Sequence, residues 1–172
     1  MISKKMQEAI NEQIKNEMYS AYLYLSMSAY CTKIDLKGFA NWMRVQYQEE
    51  MFHAFKMYDY LLDQDGEVKL LAIDQPPHEF QSAENVFKTT LEHERKVTAM
   101  INNIMDLAVT EKDHATNIFM QWFVTEQIEE EATAKDILQQ IKLAGATPQG
   151  LFLLDRELGQ RVYTPPAATA AE

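Results

Sequence analysis

Glu50 and His53 stand three residues apart, a spacing that brings a carboxylate and an imidazole over the same spot on a helix. Glu17, Glu94 and the pair Gln127 and Glu130 have a related setting, each in the middle of an apolar stripe. The first stripe runs Met6, Ile10, Glu17, Ala21, Tyr24, Ser28 and the second Phe39, Met43, Glu50, His53, Met57, Tyr60. The third runs Phe87, Leu91, Glu94, Ile101, Met105, Ala108 and the fourth Met120, Phe123, Gln127, Glu130, Ala134, Ile137, Ile141. Steps of three, four or seven residues put each set on one face of a helix. Such a face is buried in a bundle, and a buried ionised carboxylate is costly unless paired or bound to a metal. Any one of these residues has a duller reading, because a helical glutamate is usually solvated and a lone histidine on an apolar face usually belongs to the core. Four stripes with the same feature at mid-height predict a cation site. Oxygen donors with few imidazoles suit iron, manganese or magnesium better than a structural zinc.

The elements that must position these residues follow from caps and breakers. Helix one is expected from about Ser3, a plausible N-cap, to Tyr30, and helix two from about Leu36 to Asp63. Asp65-Gly66 should end helix two, with the glycine taking the left-handed conformation. Glu67 to Ser82 contains Pro76-Pro77, which excludes helix. Helix three is expected from Gln81 or Ser82 to Val109, and helix four, capped by Asp113, to Leu143, closed by Gly145. Thr147-Pro148 reads as an N-cap with proline at the first helical position, opening a short fifth helix to about Gly159. Its apolar side, Leu151, Leu154 and Leu158, must be covered by its own bundle or by other copies, since so short a helix is not stable alone. A 28-residue helix is roughly 42 Å long. The short first and third connections force antiparallel neighbours, whereas the long second one can travel the length of the bundle. The fold class is therefore all-α: a four-helix bundle with one long crossover and a short C-terminal helix. Residues 1–163 form the expected domain and 164–172 a frayed tail.

The chain has 172 residues and a net charge of −10. That balance argues against nucleic acid and against an anionic membrane surface, and a negative field attracts cations. The single cysteine, Cys31, excludes an internal disulfide framework and fits a reducing cytoplasm. No apolar run approaches the ~20 residues of a membrane span, and the first residues do not read as a secretory signal.

The motifs as they stand resemble the ferroxidase motifs of bacterial non-haem ferritins. They are Glu17 within Asn-Glu-Met-Tyr-Ser-Ala-Tyr, Glu49-Glu50-Met51-Phe52-His53, Glu94, and Glu126-Gln127-Ile128-Glu129-Glu130. The resemblance extends over nearly the whole chain, including the crossover and the fifth helix, and the crossover topology with inward carboxylates is ferritin-like. It implies that Glu17, Glu50 and His53 hold a first iron. Glu50 would bridge to a second, held by Glu94 and Glu130, with Gln127 beside it. It implies a third iron site at Glu49, Glu126 and Glu129 with Glu130 shared, although by composition these residues are equally readable as a solvated charge run. Tyr24 matches a tyrosine near the centre and Trp122 an aromatic close to it. Both are electron-donor candidates, and both also sit at positions suited to core packing.

The implied function is iron storage with ferroxidase activity. Fe(II) would be oxidised by O2 or H2O2 at a di-iron centre within each subunit and stored as a ferric mineral inside a hollow homo-oligomeric cage of twenty-four subunits. Two alternatives share the fold. A haem-containing bacterioferritin is suggested by Met51, beside Glu50, but the fourth helix has Gln127-x-x-Glu130 where that class has a histidine, so haem is not expected. A di-iron oxidase or oxygenase would need a substrate pocket beside the metals. His78, His93 and His114 receive no role.

Overall fold

The computed structural model describes residues 2–145 and 147–165. Five helices follow one another: α1 (Lys4–Lys33), α2 (Lys37–Asp63), α3 (Ala83–Glu111), α4 (His114–Leu143) and α5 (Pro148–Leu158). The expected caps are made. Ser3 accepts from the Met6 amide, Ser82 from Asn85, Asp113 from Thr116 and Thr147 from Gly150. Each satisfies an amide that a helix start leaves without a partner. The predicted tail falls mostly on residues 166–172, outside the described residues.

One turn differs from expectation. At the end of α2 the left-handed residue is Asp65, with φ 54°, and not Gly66. The Asp65 amide donates to Leu62 O at 3.0 Å and the Gly66 amide to Leu61 O at 2.8 Å. Aspartate tolerates the left-handed region because its short polar side chain bonds locally. Gly66 is needed for space instead, since a Cβ there would lie 2.5 Å from Leu61 Cδ1 and 2.8 Å from Leu61 O.

The start of α2 packs on the start of α3, with Phe39 and Trp42 against Phe87 at ring separations of 5.8 and 5.0 Å. The late α2 residues Met57 and Leu61 share a cluster with Val97, Ile101 and Ile104 of α3. The two helices are therefore parallel, as the long connection required. That connection runs along α1. Asn11 donates to Glu67 O at 2.8 Å and accepts from the Lys69 amide at 2.6 Å, and Ser26 donates to Pro77 O at 2.6 Å. Phe80 ends the crossover, buried against Tyr30.

The fifth helix folds back on its own bundle. Leu154 and Leu158 are buried in the cluster that holds Phe39, Met43, Phe87 and Ile141, each worth about 2 kcal/mol by removal from water. Asp155 Oδ1 accepts from the Gly38 and Phe39 amides at 2.7 and 3.0 Å. It thus caps α2, whose own N-cap residue, Leu36, makes no side-chain cap bond. Gly38 permits this approach, because a Cβ there would meet the Asp155 carbonyl. Two apolar clusters fill the ends of the bundle. The belt between them is polar.

Candidate metal centre

Glu17, Glu50 and His53 face one another in that belt, supplied by α1 and α2, and all three are buried. Each offers a donor atom within 4.8 Å of the others. Glu17 Oε1 accepts from Gln13 Nε2 at 2.8 Å. Its other oxygen, Oε2, is the one buried side-chain polar atom among the described residues with no hydrogen-bond partner. His53 Nδ1 lies 3.5 Å from Glu50 Oε2, and its ring is held by the edges of Trp122 and Phe123 at 5.4 and 5.9 Å. Burial is the largest cause raising Glu17 well above the usual carboxylate range, and the Glu50 charge adds to it. Glu50 is raised likewise by burial, then by Glu94 and Glu130. Protonation lowers that charge cost when no cation is present, and a bound cation would lower it while also giving Glu17 Oε2 a partner.

The α3 and α4 residues occupy the same belt but already have partners. Glu94 accepts from the Tyr24 hydroxyl through Oε1 and from Gln127 Nε2, at 3.1 Å, through Oε2. Glu130 Oε2 accepts from Gln46 Nε2 at 2.5 Å. Burial, followed by the Glu94 charge, pushes Glu130 up to about 8. Burial also raises Glu94, against the opposing bonds from Tyr24 and Gln127. Tyr24 is fully buried and raised by that burial and by Glu94, so its phenol stays protonated at neutral pH.

Outside this core lies a cavity of about 190 Å³ lined by Glu49, Glu126, Glu129 and Glu130, together with Phe52, His53 and Arg161. Glu126 is half-buried and Glu129 exposed. Glu49 is paired with Arg161 at 2.6 Å. Trp122 packs on His53 and carries Lys56 Nζ 4.8 Å above its ring. Met51 is half-buried, next in sequence to Glu50.

Sequence reasoning left out several residues of the belt. Gln13 and Gln46 each stand four positions before a stripe glutamate, a spacing that could have marked them as amide donors on the same face. Arg161 gave no such signal. His93, assigned no role, stands beside Tyr24 with ring centroids 6.1 Å apart. Ser20 donates its hydroxyl to Asn16 O at 3.0 Å, so at 2.8 Å it accepts from His93 Nε2. Burial lowers His93 to about 4, with Lys96 acting in the same direction, and the ring is neutral.

The donor set is rich in hard oxygen with a single imidazole, which fits a redox metal such as iron. Comparison with known proteins agrees. The family model described as Ferritin-like domain matches residues 7–144. The chain is 48% identical over 161 residues to the bacterial non-heme ferritin of Bacteroides fragilis (strain 638R), covering 94% of this chain and 100% of that one. It is 42% identical over 156 residues to the bacterial non-heme ferritin of Campylobacter jejuni, covering 91% and 93%. A crystal structure of an open pore ferritin from the archaeon Archaeoglobus fulgidus superposes with a TM-score of 0.93 at 51% identity, covering 94% of this chain and 100% of that one. With the family match spanning residues 7–144 and relatives aligned along nearly their whole length, the chain belongs to the ferritin family.

Proposed function

We propose that this protein oxidises Fe(II) at a di-iron centre inside each subunit and stores the product as a ferric mineral. The observation that carries the reading is the orphaned Glu17 Oε2, a buried oxygen that faces Glu50 and His53 and has no donor. A buried acceptor without a partner costs about 1–3 kcal/mol, and a substrate cation removes that cost. Glu17, Glu50 and His53 bind the first Fe(II). Glu50 bridges to the second, which Glu94 and Glu130 bind, with Gln127 beside it. Carboxylates favour the ferric state because the ion of higher charge gains more from anionic oxygen. Two Fe(II) give up one electron each, and O2 takes the pair with two protons to leave H2O2. The protons that the raised carboxyls hold in the metal-free belt leave when Fe(II) takes those oxygens. Tyr24, hydrogen-bonded to Glu94, is the better placed of the two electron-donor candidates, because its proton has a base to go to. A cation above the Trp122 ring disfavours removing an electron from it.

Glu49, Glu126, Glu129 and Glu130 form an outer site through which iron passes. Four of the nine residues lining their cavity are carboxylates and only Phe52 is apolar, which suits a cation better than the organic substrate of a di-iron oxygenase. Mineral storage needs an enclosed space, so residues 1–163 act as one subunit of a closed shell of twenty-four, in the cytoplasm. Along α1 and the crossover, Tyr22, Leu25, Leu70, Leu71 and Ile73 are exposed, a surface suited to a subunit contact. Size-exclusion chromatography with an anaerobic Fe(II) titration and stopped-flow oxidation tests the reading. Two tightly held ions per subunit, fast oxidation and a large assembly are expected. A monomer, or slow oxidation without a saturable pair, would overturn it.

A further inference from the structure

Arg161 is the one arginine or lysine lining the outer carboxylate cavity among the described residues. It comes from the segment that follows α5, and its contacts run along one face of α2. Its carbonyl accepts from Asn41 Nδ2 at 2.9 Å. The guanidinium carbon lies 4.4 Å from the centroid of the Trp42 ring. One nitrogen donates to Gln46 Oε1 at 2.8 Å and another to Glu49 Oε2 at 2.6 Å. Gln46 passes the link on, donating to Glu130 Oε2 at 2.5 Å. One charge is therefore tied directly to one outer carboxylate and through a single amide to a second.

We propose that Arg161 is a built-in competitor for cations at the outer cluster: it occupies Glu49 and orients Gln46 in the metal-free protein, and so sets how tightly iron is held there. The proposal rests on the reading of that cluster as an iron site. A guanidinium does not lose its proton in a protein, so it can yield Glu49 only by moving. An incoming cation must displace it or share the carboxylate with a like charge a few ångströms away. The arginine lies beyond the end of α5, so its side chain can swing while Leu154, Leu158 and Asp155 keep the helix docked. Weak holding is what a transit site requires, since cargo must leave it for the mineral. With Glu49 already compensated, Glu126 and Glu129 can attract iron without trapping it. Arg161 acts here as a positioning residue, through Glu49 and Gln46.

The test is an anaerobic calorimetric titration of the assembled protein with Fe(II), comparing wild type, Arg161→Gln, Arg161→Lys and Arg161→Gln combined with Glu49→Gln. The first ion, at Glu17, Glu50 and His53, should bind alike in wild type and Arg161→Gln. The outer ion should bind roughly tenfold more tightly in Arg161→Gln, the size expected for loss of a charge-assisted bond. Arg161→Lys should fall between, and Glu49→Gln should abolish the gain. An arginine that only anchors the segment would lower the melting temperature of Arg161→Gln and leave outer binding unchanged or weaker, which would overturn the proposal. Absence of the inner pair in wild type would instead overturn the reading beneath it. If Arg161→Gln does not assemble, a Zn(II) titration of the Trp122→Phe protein follows Trp42 emission. A change confined to the ion bound after the inner pair supports displacement of the guanidinium, and constant emission through that step overturns it.

Discussion

The two halves of the central belt differ in how their carboxylates are satisfied. On the α1 and α2 side, Glu17, Glu50 and His53 converge, and one oxygen of Glu17 has no donor. On the α3 and α4 side, Glu94 is held by Tyr24 and Gln127, and Glu130 by Gln46. Both halves carry carboxyls raised by desolvation, but among the described residues only the first keeps a fully buried acceptor without a donor. The first half is thus arranged for a cation before one arrives, whereas a cation entering the second must compete with the bonds on both Glu94 oxygens and on Glu130 Oε2. The comparison teaches that similar residue types at similar depth can differ in readiness, and that the difference lies in neutral neighbours such as Gln13, Gln46 and Tyr24.

The largest expected effect comes from dismantling the ready half. His53→Ala should slow the fast phase of Fe(II) oxidation by on the order of 100-fold, given that even outer-shell partners of a metal are worth ten- to hundredfold. The assembly should survive, because the two apolar clusters are untouched. Stopped-flow absorbance reads the rate, and an unchanged fast phase would remove His53 from the centre.

Glu130→Ala attacks the other half. An anaerobic Fe(II) titration should lose about one ion of the pair and keep the one at Glu17, Glu50 and His53. Loss of both ions, or of neither, would erase the distinction between the halves.

Tyr24→Phe sharpens it. Freed of one donor, Glu94 should bind the second ion about threefold to tenfold more tightly, the worth of a typical hydrogen bond, while oxidation slows for want of the phenol. Unchanged affinity would mean that the Tyr24 bond does not restrain Glu94.

The raised carboxyls give a pH dependence to the metal-free protein. Glu130 is pushed from 4.5 to about 8 in the folded state, and Glu17, Glu50 and Glu94 move in the same direction. The folded protein therefore binds more protons than the unfolded chain between about pH 4.5 and about pH 8, and its stability falls as pH rises through that window. Melting temperatures of metal-free protein should decline by a few degrees from pH 5 to pH 8, and bound Fe(II) or Zn(II) should flatten the slope. A rising or level curve without metal would mean that the belt is not strained by charge.

Met51→Leu should have the smallest effect. The side chain is half-buried and takes no part in either half, so oxidation should be unchanged and a pyridine haemochrome assay should find little haem before or after. About one haem per two subunits, lost in the variant, would give the protein a haem site outside the belt.

Much of this was legible in the sequence. The caps Ser3, Ser82, Asp113 and Thr147 act over three residues, and a hydroxyl or carboxylate ahead of an apolar run marks them. The inward placement of Glu17, Glu50, His53, Glu94 and Gln127 was legible because burial of one face imposes its period on the residue string. Gly66 was misjudged for a local reason: the turn needed a left-handed residue and a residue without Cβ, and these are two different positions, Asp65 and Gly66.

Sequence by itself therefore determined the helices, their directions and the height at which carboxylates turn inward, because these depend on interactions within a few turns and on the length of one connection. Tertiary structure decided the rest. It chose Asp155 to cap a helix that starts 118 positions earlier at Lys37, tied the crossover to Asn11 and brought Arg161 onto Glu49. It also decided which carboxylate oxygen kept no partner. Contacts between residues so far apart leave no periodic trace, since each depends on where whole helices come to rest once their apolar faces have been buried.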